Sequence, residues 1–149
     1  MKIRSYANDK AVRFAESETA PIHLAEIDGR NYYAFAEKQD IPSGGKIADE
    51  DIDLIYKHSQ IIRQVKEEAS RRILNFAPQW KQQNALVDIY LLGKLEKLDE
   101  KQQKRLQKAE QLLLKIQSIR QRSDAIESSL INGVFVDYFT EQAWEDDHA

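Results

Sequence analysis

The stretch Ile41-Pro42-Ser43-Gly44-Gly45 separates two kinds of hydrophobic pattern in this chain. Before it, apolar residues alternate with a period near two; after it, they recur every three or four residues. The first spacing suits strands with one buried face, and the second suits amphipathic helices. The chain is therefore confined to a small sheet followed by helices. Two adjacent glycines lose much conformational entropy in regular structure, so the strand region is expected to end at this joint. Gly44-Gly45-Lys46 is no phosphate-binding loop, because the upstream glycine and the following Ser or Thr are both missing.

In the first part, Ile3 and Ser5 and the run Ala11-Val12-Arg13-Phe14 flank a polar turn at residues 7–10. A stronger hairpin follows: residues 22–27 and 31–35 are separated by Asp28-Gly29-Arg30, and Asp-Gly readily supplies the positive φ of a tight turn. Pro21 suits the start of a strand, where its missing N–H loses no ladder bond. Two hairpins predict an antiparallel sheet, which needs a covering layer to be stable in water.

From Asp49 the period is helical. Ile52, Ile55, Ile62, Val65, Ala69, Ile73 and Phe76 form one stripe, which predicts a single first helix ending at Pro78. The acids Asp49, Glu50, Asp51 and Asp53 crowd its start, where they favour the positive end of the helix dipole. They also resemble half of a calcium loop, but Leu54 stands where that loop requires glycine. A second helix is predicted from about Pro78 to Leu98, with a stripe of Trp80, Asn84, Val87, Leu91 and Leu95. Asp99 and Gln102 are spaced as a capping box. They open a third helix over about 100–130, with Leu112, Ile116, Ile119, Ser123, Ile126 and Leu130 on one face. Between them, Lys101–Lys108 has one strongly apolar residue in eight. Helices two and three are thus expected to form an extended antiparallel hairpin whose connecting end projects into solvent. Asn132-Gly133 closes the third helix, Val134–Phe139 forms a short strand or apolar strap, and Thr140 caps a last turn carrying Trp144. The fold class is α+β and mainly α. The expected divisions are 1–40 for the strands, 41–48 for the linker, 49–131 for the helices, and 132–149 for the strap and acidic tail.

Charge is unevenly placed. The net charge is −3, but residues 61–122 carry +7, and residues 123–149 carry −7 with no Lys or Arg. Either the tail folds back on the basic middle, or each finds a partner of opposite sign. The absence of cysteine excludes disulfides and thiolate zinc sites and fits a reducing compartment. No apolar run approaches the ~20 residues of a membrane span, and the first residues lack the apolar core of a secretory signal.

Reactive constellations are scarce. His23, His58 and His148 lie at no metal-ligand spacing, and neither a cysteine nor a Gly-x-Ser-x-Gly elbow offers a nucleophile. No catalytic residue, cofactor, metal site or small-molecule substrate is expected. The basic residues, with Lys101, Lys104, Arg105 and Lys108 at their centre, could meet phosphates, and a nucleic-acid-binding or regulatory role for 61–122 is the alternative reading. Interspersed acids disfavour it, as does the lack of an interleaved aromatic series, since Tyr90 is the only aromatic between Trp80 and Phe135. Two aromatic clusters are stronger candidates for binding a protein partner or a second copy: Tyr32, Tyr33 and Phe35, and Phe135, Tyr138, Phe139 and Trp144. Pro78, Trp80, Gln82 and Asn84 read as a structural corner. Proline starts the helix, Trp80 packs between helices one and two, and the amides satisfy freed carbonyls.

The same corner carries a resemblance. Ala69-Ser70-Arg71-Arg72-Ile73, then Pro78-Gln79-Trp80-Lys81-Gln82-Gln83-Asn84, a polar helix, and Ile119-Arg120-Gln121-Arg122-Ser123-Asp124-Ala125-Ile126-Glu127 resemble segments of small tailed-phage and prophage proteins of the tail and tail-fibre assembly type. Trp144 in an acidic terminal patch is similar too, whereas the Trp-Pro ending of that group is absent. The resemblance covers residues 69–130. It implies a non-enzymatic role in tail assembly or structure, through contact with a tail or tail-fibre protein, in the host cytoplasm or on the virion.

Overall fold

The computed structural model describes residues 1–9, 12–14 and 20–145. Four strands form one antiparallel sheet in the order β2-β3-β1-β4, with β1 at Ile3–Ala7, β2 at Ile22–Ile27, β3 at Arg30–Ala34 and β4 at Lys46–Ile47. Helices follow: α1 (Ile52–His58), α2 (Gln60–Phe76), α3 (Gln79–Leu92) and α4 (Glu100–Ile131), then a 3-10 turn at Gln142–Trp144. The protein is a mainly helical α+β fold, and α3 packs along α4 as a helical hairpin. Among the described residues no helix is long and apolar enough to cross a membrane.

The β2–β3 hairpin forms as its Asp-Gly turn requires, with φ +50° at Asp28 and +74° at Gly29. The earlier hairpin does not form as expected. β1 pairs instead with β3, in the register Ile3 to Ala34 and Ser5 to Tyr32, and with β4 on its other side. Val12–Phe14 lie outside the strands, while Lys10 and Ala11 fall outside the described residues. β3 offers β1 a full ladder of five residue pairs, and that longer pairing prevails over the local turn.

Residues 41–48 are not a loose linker. The chain turns at Gly44, whose φ is +86°, and re-enters the sheet as β4. The turn sits on Tyr6, whose hydroxyl donates to Pro42 O at 2.7 Å. A Cβ on Gly45 would lie 2.7 Å from that ring, so any larger residue there would have to displace the buried Tyr6 side chain. Asp49 then accepts from the Ile3 N–H at 2.5 Å, so it anchors β1 and does not sit in a helical turn.

The expected first helix is two. Ser59 is extended and buried; it takes the Ile62 N–H on its hydroxyl at 3.3 Å and donates its own N–H to Ile55 O at 2.7 Å. The apolar stripe continues across the break, and Ile55, Ile62, Val65, Ala69 and Ile73 are all buried. α3 stops at Gly93, earlier than its apolar run suggests. α4 begins with the Asp99–Gln102 capping box and ends at Gly133, where φ is +77° and a Cβ would clash with the Phe35–Ala36 backbone.

One continuous core joins the inner sheet face (Ile3, Leu24, Ala34), α1 and α2, and the C-terminal half of α4. The described segment after Gly133, residues 134–145, forms no strand. It crosses α2 and α4 as a strap, with Tyr138 Oη donating to Gln64 Oε1 at 2.6 Å and Arg122 Nε donating to Ala143 O at 2.6 Å. Thr140 caps no helix; its hydroxyl donates to Asp137 O.

Candidate protein-interaction surface

α3 is apolar on two opposite sides. Ala85, Ile89 and Leu92, spaced i, i+4, i+7, face α4, with Ala85 and Leu92 buried. Trp80, Val87 and Leu91, spaced i, i+7, i+11, form a second row pointing to solvent, flanked by Leu86 and Tyr90. Leu95 extends it past the helix end. Trp80 is 60% exposed and Tyr90 63%. Contiguous exposed apolar groups on one element mark an interaction surface more often than isolated ones do. This row is the strongest candidate site of the described residues.

Two lysines stand at its aromatic rings. Lys94 Nζ lies 4.0 Å from the centroid of the Tyr90 ring and 2.6 Å from its hydroxyl, and Lys81 Nζ lies 5.5 Å from the Trp80 ring. Such cation–π contacts make exposed rings more tolerable in water. Asp88, the single acid of α3, turns toward α4 and is met by Arg105 at 2.5 Å. That contact holds the Arg105 guanidinium more firmly protonated.

The residues singled out from sequence separate sharply. Trp80 does not pack into the helix corner; it heads the outward row. Pro78 does precede α3, and Gln82 Nε2 donates to the freed carbonyl of Ala77 at 2.8 Å, but Asn84 is exposed on the outer face. Tyr32, Phe35, Tyr138 and Trp144 are buried and cannot serve as exposed docking anchors. Tyr33 is half-buried between His23, Tyr6 and Phe14. Phe135 and Phe139, both 66% exposed, stay accessible on the strap. Lys101, Lys104 and Lys108 are solvated at the start of α4, with Lys104 3.6 Å from Glu100.

The strap is held by a cluster that residue spacing did not reveal. Glu68, only 6% exposed, accepts from Arg71 at 2.6 and 2.9 Å and from Arg72 at 2.8 Å. Arg72 also reaches Glu141 at 3.0 Å and lies over the Trp144 ring at 5.2 Å. The Arg71 hydrogen bond and the charge of both arginines outweigh burial and hold the Glu68 carboxyl below its usual range. Glu141 thus ties the described part of the acidic segment to Arg72 of the basic middle. Opposite in sense is Glu127, whose pKa is raised mainly by burial, with Lys66 working against the rise. It lies in an open groove of about 570 Å³ between α2 and α4, beside Ser123, Asp124 and Arg120. Among the described residues no group of three or more His, Cys, Asp or Glu is placed to hold a metal ion. His23 meets Asn31 Oδ1 at 2.9 Å, and His148 lies outside the described residues.

Comparison of this chain with family models, curated proteins and solved structures finds no match.

Proposed function

We propose that this protein is a non-enzymatic assembly or structural component of a phage or prophage tail, acting by protein–protein contact through the α3–α4 hairpin. The observation that carries the contact reading is the outward row Trp80, Val87 and Leu91. These large apolar side chains lie in water while the opposite side of the same helix packs on α4. The tail context is supported by the resemblance of residues 69–130, whose Pro78–Asn84 segment opens the exposed helix. The partner is then a tail or tail-fibre protein, met in the host cytoplasm, with the protein retained on the virion or released after assembly. No cofactor or small-molecule substrate enters this reading.

Nucleic-acid binding by the basic helices has weaker support. Arg105, Arg71 and Arg72 are each engaged by a carboxylate, which leaves fewer cations for phosphates.

The test is made in the phage or prophage that encodes the chain. Val87→Asp with Leu91→Asp should yield particles with missing or incomplete tails or fibres while genome replication is unchanged. Normal tails from that variant would contradict the proposal.

A further inference from the structure

Resting on the contact reading above, we infer that the occupant of the α3 row is an amphipathic helix of another protein, with acidic residues flanking its apolar seam. Three features of α3 converge on that chemistry. The row has helical spacing over three turns, from Trp80 to Leu91, or about 17 Å at 1.5 Å per residue. A helix laid along it meets side chains at the intervals that helix-in-groove and coiled-coil packing use.

Cations also stand at the two aromatic rings of this side of α3. Lys81 and Lys94 border the row, no carboxylate of α3 shares it, and Asp88 is turned inward to Arg105 with its side chain 16% exposed. The hairpin as a whole, residues 79–120, carries a net charge of +4. A second copy would bring the same lysines to the same row, so a two-fold α3–α3 pair sets like charges together. An acidic flank meets them with opposite charge.

Both ammonium groups are already at the rim of the row. Lys94 stands over Tyr90, and Lys81 over Trp80. An incoming carboxylate reaches either ammonium group at the edge while apolar side chains cover Val87 and Leu91, so charge pairing and apolar burial do not compete for the same atoms.

Two synthetic 18-residue helical peptides with the same leucine seam, one flanked by Glu and one by Lys, test this on the whole protein. Trp80 is the reporter, because its exposed indole shifts emission on coverage, whereas Trp144 is already buried. Trp80→Phe provides the silent control. The Glu peptide should bind at least ten-fold more tightly than the Lys peptide, and the difference should shrink in high salt. Lys81→Glu with Lys94→Glu should reverse the preference. Val87→Ser with Leu91→Ser should weaken both peptides while leaving the helical circular dichroism intact. Equal affinities, a Lys preference, or binding of neither peptide overturns the acidic partner. So does a dimer in sedimentation that the Val87 and Leu91 substitutions abolish, since a second copy would then fill the row. Each of those results leaves the tail reading standing, because that reading fails separately if the Val87 and Leu91 variant assembles normal tails.

Discussion

At the residue scale the two tryptophans exchange the roles their surroundings in sequence suggest. Trp80 follows a proline at a helix junction and looks structural, yet it faces water; Trp144 sits near the acidic end and looks like an anchor, yet it is buried beneath Arg72 with its indole N–H on Tyr138 O at 2.8 Å. Trp144→Ala should therefore cost about 3–5 kcal/mol in urea unfolding, while Trp80→Ala should stay within about 0.5 kcal/mol. Two glutamates give a further prediction of opposite sign. Glu68 has a lowered folded-state pKa, so its stabilisation is present above the ordinary value of 4.5 and is lost as pH falls through the lower, folded value. Glu127 has a raised pKa, so the folded state is favoured by its protonation, and that gain is lost as pH rises through its folded value. In thermal melts, Glu68→Gln should lower Tm at neutral pH with a deficit that shrinks in acid below 4.5. Glu127→Gln should raise Tm at neutral pH and converge on the native chain in acid. Shifts independent of pH would contradict both assignments.

At the scale of elements, what was legible in the sequence is what local chemistry decides. The Asp28-Gly29 turn, the Asp99–Gln102 capping box and the left-handed Gly133 each depend on residues within a few positions, and each forms as read. The stripe of α4 is legible as well, since its opposite side is polar apart from the exposed Leu114. α3 was misread because it has two apolar sides: spacing identifies both, but only the position of α4 decides that Ala85 and Leu92, not Trp80 and Leu91, are covered. The break at Ser59 carries no glycine or proline, so the apolar stripe hides it. The pairing of β1 with β3, and β4 beyond the glycines, depends on partners distant along the chain, which periodicity does not specify. Ser59 itself makes a testable contribution. Ser59→Ala leaves the Ile62 N–H without its cap and should lower stability by about 1 kcal/mol; an unchanged denaturation midpoint would show that the α1–α2 break needs no cap.

The whole molecule is divided by packing and charge. The sheet, α1, α2 and the C-terminal half of α4 share one core, sealed by the strap through Tyr138 and Trp144. Ala85, Leu92 and Ala109 are buried outside that core, so the outer hairpin rests on a small contact set of its own. It leaves the body as a positively charged arm bearing an apolar row, while the acidic strap is bound to the body at Arg72. This division separates what folds the protein from what is free to meet a partner. Equilibrium unfolding of the doubly substituted protein, Val87→Asp with Leu91→Asp, tests that division most directly. Because each side chain faces water, the account predicts a stability within about 1 kcal/mol of the native chain for the pair; a loss of about 4 kcal/mol or more, as core truncations produce, would contradict it.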